Sequence, residues 1–213
     1  NNYFYVSYTI LDTEGAKNRL SRFTYSSTPA ATLASIDVIL TSEAKATSIH
    51  SAGWVGFKPS DYASPSESSH DIYWAIGDGG PQTDTLGVGQ DTSNLLGSIV
   101  RVSVPSGTSA SDVGYTIPSG NYDGVREEIC APGFRNPFRC GFDKATDDLY
   151  CGDVGHTMVE EVDIVVCGEN YGWAKFEGSR CQEAAEGLYG ACDGTSRSGY
   201  TFPIYEYCHT DYF

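Results

Sequence analysis

Two stretches of this chain share one plan. Residues 55–78 run "VGFKPSDY…DIYWAIGD" and residues 140–153 run "CGFDKATDDLYCGD". Each opens on a strand-like run carrying a phenylalanine and turns on Pro or Asp. Each closes on an aromatic strand that ends in Gly-Asp. Alternating apolar and polar positions bounded by turn residues read as antiparallel hairpins.

Repeats of about 40–50 residues that each hold several strands are the sequence mark of a β-propeller blade. The 213 residues accommodate about four such blades in a single all-β domain, residues 1–213. A propeller has to close on itself, and both ends read as interrupted, so the expectation is a partial propeller from a longer chain. The other runs agree. "YFYVSYTI" (3–10) and "RLSRFTY" (19–25) form one hairpin, "IDVIL" (36–40) a short strand and "LLGSIVRVSV" (95–104) a strong β run. The Ser/Pro-rich stretch 60–69 and residues 81–94 read as loops, "SEAKATS" as another, and residues 179–200 as irregular.

Charge narrows the partners. The formal net charge is −15, which repels a phosphate backbone and disfavours nucleic acid. No run approaches the roughly 18 apolar residues of a membrane span. The seven cysteines all lie in the second half, with no Cys-x-x-Cys pair to suggest zinc or a thioredoxin-type site. Scattered cysteines in an acidic, tyrosine-rich chain point to disulfides and a secreted or cell-surface setting. Cys140 and Cys151 lie on the two arms of one hairpin, close enough to bridge. Cys181 and Cys192 enclose a short loop. Cys130 with Cys167 completes the set and leaves Cys208 over.

Five motifs in order carry a resemblance: "HSAGWVGFKP…DIYWAIGDGG", "LLGSIVRVSV", "GFRNPFRCGFD", "LYCGDVG" and "EEVDIVVCGENYGW…EG". Together they resemble the glucose/sorbosone dehydrogenase family, which includes soluble quinoprotein sugar dehydrogenases and hedgehog-interacting proteins. The likeness spans roughly residues 3–178. It implies a six-bladed propeller of four-stranded antiparallel blades, of which this chain holds a consecutive run. The cysteines around the Arg-Asn-Pro hairpin resemble the hedgehog-interacting branch more than the bacterial enzymes.

The resemblance also implies a site. His50 would remove the proton from a sugar hydroxyl while hydride passes to pyrroloquinoline quinone, and an imidazole titrates in the right range for that task. Arg135 and Asn136 would contact the quinone, the guanidinium fork suiting its carboxylates. The backbone carbonyls of Gly155 and His156 would ligate calcium, a cation that prefers oxygen. Glu161 and the carbonyl of Tyr171 match a further calcium position. The plain structural alternatives stand beside each. His50 can be an idle loop histidine, Arg135-Asn136-Pro137 a turn, Glu161 a solvated acid and Asp78 a turn residue. Trp54, Trp74 and Trp173 read as packing within or between blades, with lining of the upper face as an alternative for Trp173.

Three departures weaken the catalytic reading. Ile49 stands where the enzymes place an acid to orient the histidine. Val154 replaces a polar residue that contacts the cofactor, and His156 replaces a proline. The sequence therefore supports two functions. One is an extracellular, disulfide-stabilised binding or structural module, with a protein or carbohydrate partner. The other is a calcium- and quinone-dependent sugar or polyol dehydrogenase. In both, the rest of the chain or an assembly partner completes the propeller.

Overall fold

The computed structural model describes residues 3–63, 69–105, 114–183, 188–190 and 197–209. Its strands are β1 (Tyr3–Asp12), β2 (Gly15–Thr24), β3 (Asp37–Ala44), β4 (Ala52–Phe57), β5 (Ser69–Ile76), β6 (Ser98–Pro105) and β7 (Ile129–Pro132). The chain continues through β8 (Pro137–Phe142), β9 (Leu149–Asp153), β10 (Val159–Val165), β11 (Phe176–Glu177), β12 (Arg180–Glu183), β13 (Leu188–Gly190) and β14 (Tyr205–Cys208). Two short helices, α1 (Pro29–Ala34) and α2 (Pro59–Ala63), interrupt the strands.

These strands make four antiparallel sheets, ordered β1-β2-β3, β4-β5-β6-β7, β8-β9-β10-β14 and β11-β12-β13. This is the all-β, blade-by-blade architecture of an incomplete propeller. Two of the sheets carry four strands and two carry three. The repeated plan falls where the sequence places it. Residues 55–78 take in the end of β4 and all of β5, and residues 140–153 lie within the β8–β9 hairpin, the first two strands of adjacent blades.

Three local expectations are corrected. The stretch 60–69 opens in helix α2 rather than loop. Strand β3 runs on through Ser42–Ala44, because β2 still offers it a partner there, with Lys17 opposite Ala44. The region 179–200 contains β12, paired to β11, and β13, paired to β12. Their residues carry little apolar pattern, so pairing rather than local preference makes them strands.

Two apolar layers join the blades. Leu20, Leu40, Ile72, Trp74, Val100, Val102 and neighbouring buried residues fill the layer between the first two sheets. The Trp74 Nε1–H donates to Ser7 Oγ (2.9 Å), so even the buried indole N–H has a partner. Tyr73, Ile99, Phe134, Leu149, Val165 and Tyr171 fill the next layer. Strand β4 packs against both β1 and β8. Those three strands line a cavity of about 410 Å³ with Tyr5, Ser7, Trp54 and Arg139 on its walls.

Disulfides Cys130–Cys167 and Cys140–Cys151 are both present, and Cys208 is free. Cys181 is disulfide-bonded as well, and its expected partner Cys192 lies outside the described residues. Among the described residues, no helix is long and apolar enough to cross a membrane.

Candidate functional site

Antiparallel pairing sends the β3–β4, β5–β6, β7–β8 and β9–β10 connections to one end of the sheets. All the singled-out loop residues therefore meet there. His50 precedes β4 in the left-handed region, with φ 49°. A Cβ on Gly77 would stand 2.7 Å from the His50 carbonyl oxygen and 2.9 Å from the His50 Cβ, so only glycine lets the two loops approach.

Beside it, Gly77-Asp78 ends the β5 arm. His50 Nδ1 lies 2.5 Å from Asp78 Oδ1. Asp78 is fully buried and takes two further hydrogen bonds, from the Gly80 N–H to Oδ1 (2.8 Å) and from the Trp173 Nε1–H to Oδ2 (2.8 Å). With a carboxylate as partner, Nδ1 is the donor, so in the neutral imidazole it is Nε2 that has the lone pair. Among the described residues Nε2 has no hydrogen-bond partner, so it is the nitrogen free to meet a ligand. The acid missing at Ile49 is thus supplied from another loop, and the turn reading of Asp78 is too modest.

Arg135 and Asn136 precede β8, and Gly152-Asp153 ends β9. Here the carboxylate grips the backbone. Asp153 Oδ2 accepts from the Arg135 N–H (2.8 Å) and Oδ1 from the Asn136 N–H (2.6 Å). The Arg135 side chain, 6% exposed as a residue, donates to the carbonyls of Gln82 (3.2 and 3.1 Å), Val154 (3.0 Å) and Gly155 (2.8 Å). Its guanidinium carbon lies 5.3 Å from the centre of the Trp173 ring. The Asn136 side-chain amide has no partner among the described residues. Burial pushes the Asp153 carboxyl up to about 7, against the two backbone N–H groups that favour its charged form.

Gly155 and His156 lie on the next loop, and one atom organises it. Glu177 Oε1 accepts from the N–H groups of His156 (2.7 Å), Thr157 (3.0 Å), Met158 (3.0 Å) and Val159 (3.2 Å). Burial and the nearby Arg135 lower the His156 pKa. Glu161 lies on β10, directly opposite Asp153 on one side and Glu206 on the other. Burial, then Asp163 and Asp153, push its carboxyl well above the usual range. Asp163 is 1% exposed, its Oδ2 has no hydrogen-bond partner, and burial raises it likewise. Tyr171 stacks on Phe134 at 4.7 Å, and its hydroxyl bonds the Ile164 carbonyl and the Val166 N–H.

His50, Arg135, Asn136, Gly155 and His156 therefore share one end of the blades, while Tyr171 belongs to the apolar layer and Glu161 sits on β10 level with Asp153. Among the described residues no three His, Cys, Asp or Glu side chains stand in metal-holding geometry. The donor chemistry nevertheless fits a hard cation near Glu161, where the orphaned Asp163 oxygen needs a positive partner. At Gly155 the carbonyl already accepts from Arg135, so a cation there would share it.

Residues 1–210 match the family described as Glucose / Sorbosone dehydrogenase. HIPL2 protein from Arabidopsis thaliana is 38% identical over 156 residues, 66% of this chain and 22% of that protein. HIPL1 protein from the same plant is 37% identical over 141 residues, covering 61% and 19%. The PQQ-bound aldose sugar dehydrogenase of Streptomyces coelicolor superposes with a TM-score of 0.65 at 22% identity, over 97% of this chain and 49% of that one. The apo-form soluble aldose sugar dehydrogenase of Escherichia coli superposes at 0.68 and 19% identity, over 96% and 54%. The chain spans about a fifth of the curated relatives it matches and about half of these solved chains.

Proposed function

The chain belongs to the glucose/sorbosone dehydrogenase family, and from that premise we propose that it carries the proton-abstracting half of a quinone-dependent sugar or polyol dehydrogenase. The single observation that supports this is the His50–Asp78 pair at 2.5 Å. A general base needs a lone pair aimed at the substrate and a partner that stabilises the charge it acquires. His50 Nε2 supplies the first. Buried Asp78 supplies the second, as it steadies the imidazolium through Nδ1–H.

Pyrroloquinoline quinone, when bound, supplies a two-electron acceptor for the hydride of the alcohol carbon. The residues of this chain that suit its polar groups are Arg135 and the unpartnered Asn136 amide. Glu161, Asp163 and the Tyr171 carbonyl suit calcium, as do the Gly155 and His156 carbonyls. His50 takes the hydroxyl proton and later releases it to solvent. The bridged cysteines support a secreted or cell-surface location.

The test uses the intact protein with the quinone and calcium added. Cofactor absorbance and dye reduction with an aldose are expected, and both turnover and its pH dependence should vanish in His50→Ala. No quinone binding at tens of micromolar sinks the reading.

A second reading rests on Arg135. Its guanidinium already meets three carbonyl oxygens, so a carboxylate-bearing cofactor would have to compete for it. In this reading the blades are an extracellular module that binds a protein or carbohydrate partner without redox chemistry. Retention of fold and partner binding in a His50→Ala protein that never held quinone supports it.

A further inference from the structure

Trp173, which by sequence reads as packing or as lining the upper face, lies where the two halves of the site meet. It is 2% exposed. Its indole N–H reaches Asp78 Oδ2 at 2.8 Å, and its ring faces the Arg135 guanidinium. The residue cannot turn away. Its backbone N–H donates to the Gly133 carbonyl (2.9 Å) and its carbonyl accepts from Gln90 Nε2 (2.6 Å). Gly89 presses against it so closely that a Cβ there would stand 2.7 Å from the Trp173 oxygen and 2.8 Å from Cδ1.

Asp78 is fully buried, so bulk solvent does not reach its carboxylate. Of its two oxygens, Oδ1 is shared by the Gly80 N–H and His50, while Oδ2 has the indole N–H as its partner. Without that donor, a fully buried oxygen loses its hydrogen bond, which favours rotation or protonation of the carboxyl. Either change loosens the bond to His50 Nδ1. The other charged or titratable groups on this side are Lys45 on the histidine's own loop, Asp84 on the β5–β6 connection, and Arg135, Asp153 and His156 from the neighbouring blade. Both carboxylates are already engaged by backbone N–H groups, Asp84 by those of Val88 and Gly89 and Asp153 by those of Arg135 and Asn136, so neither is placed to replace Asp78.

We infer that Trp173 is a positioning residue for His50: its indole N–H fixes the Asp78 carboxylate, and Asp78 then fixes the imidazole in the Nδ1–H form with Nε2 bare. The catalytic consequence rests on the reading of His50 as a base; the tautomer does not. Trp173 also ties that arrangement to Arg135, so proton-accepting and cofactor-facing groups share one rigid support.

The experiment labels the histidines of the intact protein with ¹⁵N and reads the His50 tautomer by NMR, without quinone. Trp173→Phe keeps an aromatic ring but removes the donor. Benzothienylalanine placed at 173 keeps the indole's shape and also removes it, which serves if the phenylalanine protein folds poorly. In both, the single Nδ1–H form of the parent is expected to become a mixture, as in an Asp78→Asn control. With quinone and substrate, kcat is expected to fall about 10–100-fold with KM little changed, the scale of lost outer support for a site residue. An unchanged His50 tautomer in a folded donor-less protein overturns the inference. A shifted tautomer in a protein that binds no quinone sustains it and counts against the dehydrogenase reading alone.

Discussion

Asp78 and Asp153 end the second strands of neighbouring blades in the same Gly-Asp step, yet they hold different things. Asp78 grips a side chain, the His50 imidazole, and is itself held by Trp173. Asp153 grips two backbone N–H groups, those of Arg135 and Asn136, and leaves the guanidinium to the carbonyls of Gln82, Val154 and Gly155. One repeated strand end has thus been put to two uses. A carboxylate on an imidazole sets a protonation state. A carboxylate on backbone amides sets the path of a loop. The first should matter most to chemistry and the second most to folding.

The largest expected effect tests the chemical half. Asp78→Asn should lower kcat by about 10³–10⁴-fold, the loss seen when a carboxylate that orients a catalytic imidazole becomes an amide. Stability should change far less than turnover. Dye-reduction kinetics of the quinone-loaded protein read this directly, and a loss under tenfold would erase the distinction between the two aspartates.

The second test asks how much of the other blade's order comes from its staple. The Cys140–Cys151 bridge joins the β8 and β9 arms across 11 residues, and the β4–β5 hairpin has no cysteine at all. Cys140→Ala with Cys151→Ala should cost about 2–3 kcal/mol in urea unfolding, as expected for a short closed loop. Third in size, Asp153→Asn should cost about 1–2 kcal/mol by weakening two buried hydrogen bonds, with kcat held within a few-fold. A collapse of kcat there, with stability intact, would reverse the assignment of roles.

The smallest effect belongs to Lys45, on the His50 loop. The residue is 8% exposed, its ammonium donates to Ser51 Oγ (2.5 Å), and burial lowers its pKa. The folded chain therefore releases this proton at a lower pH than the unfolded chain does. Stability should rise from the folded pKa up to the unfolded lysine's pKa near 10.4, and be flat beyond. Lys45→Met should remove that rise and leave the protein as stable or slightly more so at neutral pH, as thermal unfolding across pH 7–10 would record. A parent whose stability is independent of pH in that window would count against the effect.

The blade hairpins were legible because their information is local. Alternation, a turn and a Gly-Asp end are all visible within 55–78 and 140–153. The histidine's partner was not legible by the rule of nearest neighbours, which looked to Ile49. The acid arrives from 28 residues away, and only the pairing of β4 with β5 brings Asp78 beside His50. The shared Gly-Asp ending was the available signal, since a repeated acid at a strand end suggests a repeated task. Glu177 gave less warning still. Its role depends on four amides of another loop converging on one oxygen, which no spacing in "FEG" encodes. Strands β12 and β13 were missed for a related reason: their sequence is weakly apolar, and pairing of β12 with β11 and of β13 with β12 makes them strands.

The Cys130–Cys167 bridge ties β7, the last strand of one blade, to the chain just past β10 of the next. Main-chain bonds continue the seam, from the Gly168 N–H to the Cys130 carbonyl (2.8 Å) and from the Tyr171 N–H to the Pro132 carbonyl (3.0 Å). The first sheet has no such covalent tie to its neighbour among the described residues. In native-state hydrogen exchange the amides of β7, β9 and β10 should accordingly share one opening free energy, a single cooperative unit that ignores the blade boundary, while β1–β3 exchange on a separate, lower one.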